Sequence, residues 1–162
     1  MEPKARGVPW VLLSCALALT LEAVTVLPAW ARAWAPSWVA LCLLYWAMAL
    51  PQRYGLSLAW CMGILLDILT QYPLGAHAIA LSWVIFFDLT LYQQLRMFPL
   101  PQQAAIVLVL IGLAECTVQL ASQVFGHGSF HVPALGTAVS SALVWPALFL
   151  VLRAYRRRLR IA

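Results

Sequence analysis

Apolar residues follow one another along this chain in long runs, interrupted mainly by short polar or proline-containing segments. The stretch from Cys116 to Leu152 contains no Asp, Glu, Lys or Arg. Runs such as Ala104 to Leu113 are apolar on every side, which is typical of buried helices rather than of the alternating strands of a membrane barrel. The pattern therefore predicts helices that cross a lipid bilayer.

A hydrocarbon core of about 30 Å requires about 20 residues of helix per crossing, so six crossings nearly exhaust a chain of 162 residues. We predict a single integral-membrane domain over residues 1–162. Its second crossing is short and lies between Pro36 and Pro51. The predicted helices lie near residues 8–27, 37–50, 54–71, 74–95, 102–125 and 132–152, followed by a basic tail over residues 153–162.

The composition agrees with a membrane protein, because 64% of the residues are hydrophobic and only 9% are charged. Soluble domains are about half apolar and carry far more charge. Basic residues near helix ends stay on the cytoplasmic side. A cytoplasmic N-terminus and six crossings leave only Arg32 outside, so we predict an all-α polytopic protein with both termini in the cytoplasm. The residues placed inside are Lys4, Arg6, Arg53, Arg96, Arg153, Arg156, Arg157, Arg158 and Arg160.

Motifs for catalysis or cofactor binding are missing from the sequence. It has no glycine-rich phosphate loop, nucleophile elbow or paired zinc-binding histidines on a helix, and its four cysteines form no C-x-x-C pair. His127 and His131 have a spacing that suits a metal, but the glycines around His127 favour a solvated loop. The sequence therefore predicts no catalytic residue, metal or cofactor.

Acidic residues inside the predicted crossings carry more information. An ionised acid at the centre of a membrane helix costs about 2.5 to 3.5 kcal/mol, so such residues usually face other helices or a polar cavity. Glu22, Asp67 and Glu115 are each predicted about 20 Å from the cytoplasmic face, whereas Asp88 lies in the inner half. Two interpretations remain open for the outer acids. They are either protonated or hydrogen-bonded groups that hold helices together, or a docking site or polar pocket that opens to the periplasm.

The turn at residues 72–75 joins the third and fourth crossings. Asp67 lies below the end of one helix and His77 lies within the first turn of the next, so their side chains can meet across the hairpin. Alternatively, His77 points into the lipid headgroups.

Arginines recur at helical spacing in the tail, beside a stripe of apolar residues. We expect the last helix to extend along the inner leaflet, where anionic lipids anchor it at about 1 kcal/mol per basic residue. Nucleic-acid binding is not expected, because these charges are tethered at the bilayer. The anchoring residues are Arg153, Arg156, Arg157 and Arg160.

Several segments resemble the family of rod shape-determining protein MreD, in particular its proteobacterial members. The hairpin sequence of Gly63 to Asp67 and Pro73 to Ala78 looks like the family signature, and Pro36 to Trp38, Leu44 to Pro51 and Leu143 to Pro146 match it as well. The resemblance covers nearly the whole chain. It marks one hairpin motif, formed by Gly63, Asp67, Pro73, Leu74, Gly75 and His77.

The resemblance implies a non-enzymatic component of the inner membrane that supports lateral peptidoglycan synthesis and cell shape. It implies a direct contact with MreC, and membership of a complex with MreB, RodA and the penicillin-binding transpeptidase that works with RodA. Membrane lipids are the other expected partners.

A second function is compatible with the same layout of helices. Six helices also resemble the substrate-binding subunits of energy-coupling-factor transporters, although a shared fold does not settle function. A small-molecule carrier would need an outward-facing polar pocket. Its candidate lining residues are Glu22, Asp67, His77 and Glu115.

Overall fold

A computed structural model of the chain describes residues 8–24, 34–51, 55–125 and 134–159. Within these ranges the chain forms six α-helices, which confirms the predicted all-helical class. The helices are α1 (Val8–Val24), α2 (Trp38–Ala49), α3 (Leu56–Thr70), α4 (Ala76–Met97), α5 (Leu100–Val124) and α6 (Ala134–Arg158).

The described helices differ from the predicted crossings mainly at the end of the chain. Helix α6 continues to Arg158, beyond the predicted end of the crossing at residue 152. Tyr155 and Leu159 pack against the core, which accounts for the continued helix. The first part of the predicted basic tail is therefore helical. Arg160 lies outside the described residues.

Helix α2 lies at the centre of the bundle and contacts α1, α4 and α6. Every side chain from Val39 to Met48 is buried. A helix that is apolar all round needs neighbours on every side, and the surrounding helices provide them. They also present large apolar side chains outward, among them Trp60, Trp83 and Phe86.

Three of the helices are long and apolar enough to cross a membrane, judged by length and composition. They are α4 with 22 residues, α5 with 25, and 24 residues of α6 from Leu135 to Arg158. The described parts of α1, α2 and α3 are shorter, with 17, 12 and 15 residues. These properties indicate a membrane protein, while the number of crossings remains a prediction.

Candidate functional site

Asp67 joins the end of α3 to the start of α4. Its side chain is fully buried. One carboxylate oxygen, Oδ2, accepts a hydrogen bond of 2.8 Å from the backbone N–H of Gly75, and the other, Oδ1, accepts one of 3.0 Å from that of His77. The first N–H groups of a helix lack partners within the helix and carry partial positive charge. Asp67 therefore caps α4 from the preceding helix.

His77 completes this arrangement with its side chain. Its Nδ1 lies 2.7 Å from Asp67 Oδ1, so an N–H at that position donates to the carboxylate. The imidazole also packs edge-on against the ring of Tyr72, with 5.1 Å between the centroids. The structure thus places His77 beside Asp67. The side chain remains partly exposed.

The turn between these residues uses two left-handed backbone positions. Gln71 ends α3 with φ of 57°, and Gly75 precedes α4 with φ of 100°. Glycine adopts the second conformation without the steric penalty that a Cβ brings. The N–H of Ala76 donates to the carbonyl of Pro73, and Leu74 projects from the tip with 71% of its surface exposed. The conformation of the turn therefore points the backbone N–H groups of Gly75 and His77 toward the carboxylate of Asp67.

Gly63 allows α3 and α4 to approach each other closely. A Cβ built on Gly63 would lie 2.3 Å from the Cα of Ala78 and 2.5 Å from its backbone nitrogen. Small residues at such crossings let helix backbones pack directly in membrane proteins. Gly63 lies one helical turn before Asp67, so the close crossing holds the carboxylate against the start of α4.

Glu22 plays the corresponding part between α1 and α2. Its Oε2 accepts a hydrogen bond of 2.8 Å from the backbone N–H of Val39, and its Oε1 accepts one of 3.1 Å from the hydroxyl of Ser37. The N–H of Ser37 donates in turn to Ser141 Oγ of α6 at 3.0 Å. In both helix pairs, α1–α2 and α3–α4, an acid near the end of the first helix therefore caps the start of the second.

We call this part of the bundle the carboxylate end, defined by Glu22, Ser37, Asp67 and His77. Glu115 of α5 belongs to the same region, because Glu22 and Glu115 both lie within electrostatic range of His77. The hydrogen bonds of Glu22 and Asp67 follow the first of the two interpretations, in which the acids hold helices together.

Asp88 differs from these acids. It lies on α4 with no exposed surface, and neither carboxylate oxygen has a hydrogen-bond partner among the described residues. Unpaired buried polar groups are rare, because they lose their hydration without compensation. The sequence placed Asp88 at a different depth from the other acids but gave no indication that it lacks a partner.

At the opposite end of the bundle, Gln103 ties together three helices. Its Nε2 donates to the carbonyls of Leu95 and Phe98 at 2.9 and 3.1 Å, where α4 ends. Its Oε1 accepts a hydrogen bond of 3.3 Å from the indole of Trp145 on α6. The sequence analysis missed this residue. The available signal was a polar side chain near the start of an otherwise apolar helix.

Three of the four predicted anchoring residues are described by the structure, and they lie at this same end. Arg153, Arg156 and Arg157 are on the last turns of α6, and the side chains of Arg153 and Arg157 are exposed. Anchoring of these residues to lipid stays a prediction. His127 and His131, considered above for a metal, lie outside the described residues, and within the described ranges no cluster of three His, Cys, Asp or Glu side chains could hold a metal ion.

Comparison with known proteins shows the family to which the chain is similar. The chain matches the family profile of rod shape-determining protein MreD over residues 4–155. It is also similar to the curated protein "Rod shape-determining protein MreD" of Haemophilus influenzae, with 29% identity over 126 residues, which is 78% of each chain. No solved structure matches the chain significantly.

Proposed function

Since this chain belongs to the family of rod shape-determining protein MreD, we propose that it is a non-enzymatic component of the machinery that supports lateral peptidoglycan synthesis. The observation that carries the proposal is the match over residues 4–155, which includes all the described helices except the last turn of α6. A role in determining cell shape follows from the family. The mechanism and partners below are our proposal.

The protein acts within the inner membrane and crosses it several times. The arginine-rich end of the bundle faces the cytoplasm, and the carboxylate end faces the periplasm. The distribution of basic residues supports this orientation, since Arg96 and the arginines of α6 lie together at one end. Reporters fused after Ala162 and near Arg96 should read cytoplasmic, and one near Gly128 should read periplasmic. A periplasmic C-terminus would contradict the orientation.

The protein acts through contacts between the surfaces of its helices and partner proteins. Nearly all of its described residues are in helices, so the described part of the chain offers partner proteins helix surfaces and short turns. MreC is the direct partner, within a complex that includes MreB, RodA and the penicillin-binding transpeptidase that works with RodA. The exposed aromatic side chains of α3 and α4 offer apolar surface for such contacts.

The hairpin of Asp67 and His77 is the part of the bundle on which this function depends most. Its bonds fix the relative position of α3 and α4 and hold Tyr72 and Leu74 at the exposed tip. A partner that packs against the hairpin meets a surface that is ordered before binding, which reduces the entropy lost on association. Glu22 and Glu115 are further candidates at this end.

The alternative of a small-molecule carrier finds no specific support in the described geometry. A carrier needs polar groups that converge on a cavity. Both oxygens of Asp67 and of Glu22 instead accept hydrogen bonds from the starts of helices.

Complementation tests the proposed function. The chain is expressed in a rod-shaped bacterium depleted of its own MreD, and cell width is measured together with copurification of MreC. We expect rods of normal width and recovery of MreC. Round cells at a normal membrane level of the chain would contradict the proposal.

A further inference from the structure

A cavity of about 200 Å³ lies at the end of the bundle opposite to the carboxylate end. We call this region the arginine end, defined by Tyr45, Arg96, Gln103, Arg153 and Arg156. These residues come from four helices and line the cavity together with the apolar side chains of Met48 and Phe149. Three guanidinium groups that are far apart in the sequence thus share one cavity.

The guanidinium groups are free to bind a ligand. Among the described residues, no hydrogen bond or ion pair engages Arg96, Arg153 or Arg156. The ion pair that these residues do form, between Asp67 and His77, lies at the other end of the bundle. Stabilisation of helix ends does not fully account for Arg96, because Gln103 already bonds the carbonyls of Leu95 and Phe98. The N–H donors of each guanidinium group are therefore available to a ligand.

The positive charge of the arginines around the cavity favours an anionic ligand. Arginine binds phosphate through paired N–H donors, which gives both energy and geometric specificity. No carboxylate is among the described residues that line the cavity. Tyr45 adds a hydroxyl within electrostatic range of Arg153 and Arg156. Several arginines around one small space are a favourable arrangement for a phosphate group.

The size and position of the cavity favour a lipid as the source of that phosphate. Pockets for drug-sized ligands measure about 300 to 1,000 Å³, so this cavity suits a headgroup rather than a larger molecule. Its walls combine arginines with Met48 and Phe149, which matches a ligand that is charged at one end and apolar at the other. In the orientation proposed above, on which this step rests, the cavity faces the cytoplasmic side, where basic pockets between membrane helices bind such headgroups.

We propose that the arginine end is a specific site for the phosphate of an anionic phospholipid, held by Arg96, Arg153 and Arg156. This goes beyond diffuse attraction of a basic tail to the membrane. Diffuse attraction depends only on the number of charges near the surface, whereas a site depends on which arginines converge. Two arginines of the same helix, Arg157 and Arg158, do not line the cavity and supply a matched comparison.

Lipid binding to the purified full chain tests the proposal. Phosphatidylglycerol is titrated against the detergent-solubilised protein and followed by native mass spectrometry, with phosphatidylcholine as the zwitterionic control. We expect one phosphatidylglycerol per chain to be retained preferentially. Arg153→Gln with Arg156→Gln should weaken its binding about tenfold or more, whereas Arg157→Gln with Arg158→Gln should change it less than about threefold.

Two further measurements keep the result interpretable. Arg96→Gln, on a different helix, should also weaken binding, and the pair Arg153→Lys with Arg156→Lys should recover part of it because the charge is kept. Gel filtration and thermal unfolding show whether each variant is folded. If the two double Arg→Gln variants lost binding equally, attraction would be diffuse and the proposal wrong.

The source of the phosphate is tested separately with inorganic phosphate in lipid-free detergent. We expect it to bind at least about tenfold more weakly than phosphatidylglycerol, because it has no apolar part to contact Met48 and Phe149. Equal or tighter binding of inorganic phosphate would overturn the assignment to a lipid.

Discussion

The two ends of the bundle use charge in opposite ways. At the carboxylate end, Glu22 and Asp67 accept hydrogen bonds from the starts of α2 and α4. At the arginine end, the guanidinium groups of Arg96, Arg153 and Arg156 surround a cavity. The starts of helices carry partial positive charge and their ends partial negative charge. Glu22 and Asp67 therefore make a favourable contact with the start of a neighbouring helix, whereas Arg96 and Arg156 lie in the last turn of their own helix, where a cation is favoured.

What differs is whether the charged side chains are paired within the chain. Pairing at the carboxylate end fixes the positions of helices, which makes that end part of the architecture. The arginine end keeps donors available, which makes it suitable for a ligand. Asp88, buried between the two ends without a partner among the described residues, follows neither pattern. Substitutions that affect pairing, close packing or unpaired burial should therefore have clearly different effects.

The largest effect is expected at Gly63. Gly63→Ala should lower the free energy of unfolding by more than about 3 kcal/mol, because its Cβ would overlap the backbone of Ala78 and force α3 and α4 apart. Gly112→Ala is the matched control, since its Cβ would meet the Cβ of Ala138 at an ordinary 3.8 Å. That variant should be neutral or more stable by up to about 1 kcal/mol. Denaturation in mixed micelles measures both, and equal stability of the two variants would disprove the close crossing.

Asp67 should have the next largest effect on stability. Asp67→Leu removes the acceptor for two backbone N–H groups and His77, so we expect a loss of about 2 to 3 kcal/mol. Asp67→Asn keeps one oxygen acceptor and turns an N–H₂ group toward a donor, so it should lose about 1 kcal/mol. The same unfolding measurement ranks them. A Leu variant as stable as the native chain would show that the cap contributes nothing.

Gln103 provides the corresponding test at the arginine end. Gln103→Leu should cost about 1 to 2 kcal/mol, because it leaves the carbonyl of Phe98 and the indole N–H of Trp145 without this partner and removes one of the two hydrogen bonds to the carbonyl of Leu95. Gln102→Leu, at the exposed neighbouring position, should change stability by less than about 0.5 kcal/mol. If both variants behaved alike in thermal unfolding, the hydrogen bonds of Gln103 would not hold this end together.

The smallest effect is expected at Asp88, and it has the opposite sign. Asp88→Leu should raise the free energy of unfolding by about 1 kcal/mol, because an apolar side chain replaces a buried carboxyl group without a partner among the described residues. A clear loss of stability in the same micelles would show that Asp88 has a partner that the described contacts do not contain.

Much of the fold could be predicted from apolar patterning. Six runs gave six helices, and the short turn at residues 72–75 indicated that Asp67 and His77 can meet. The central place of α2 could not be predicted, because a helix that is apolar all round gives no preferred face and hence no neighbour. Because its predicted crossing, residues 37–50, is short, α2 was instead the weakest of the six predicted helices.

The contacts of the site depended on tertiary packing that periodicity does not describe. The depth of Glu22 followed from helix length, but its bond to the N–H of Val39 depends on how α1 and α2 cross. In the same way, the distribution of basic residues placed Arg96 and Arg153 on one side without bringing them together. Gln103 was missed because a lone amide has no characteristic spacing.

The central claim is that the hairpin closed by Asp67 supports cell shape. The most direct measurement compares Asp67→Asn with Asp88→Asn, the same substitution at two fully buried acids, in cells depleted of their own MreD and matched for membrane level. Cell width is the readout. We expect wide or rounded cells with Asp67→Asn and rods of normal width with Asp88→Asn. Normal rods with Asp67→Asn, or equal failure of both variants, would contradict the claim.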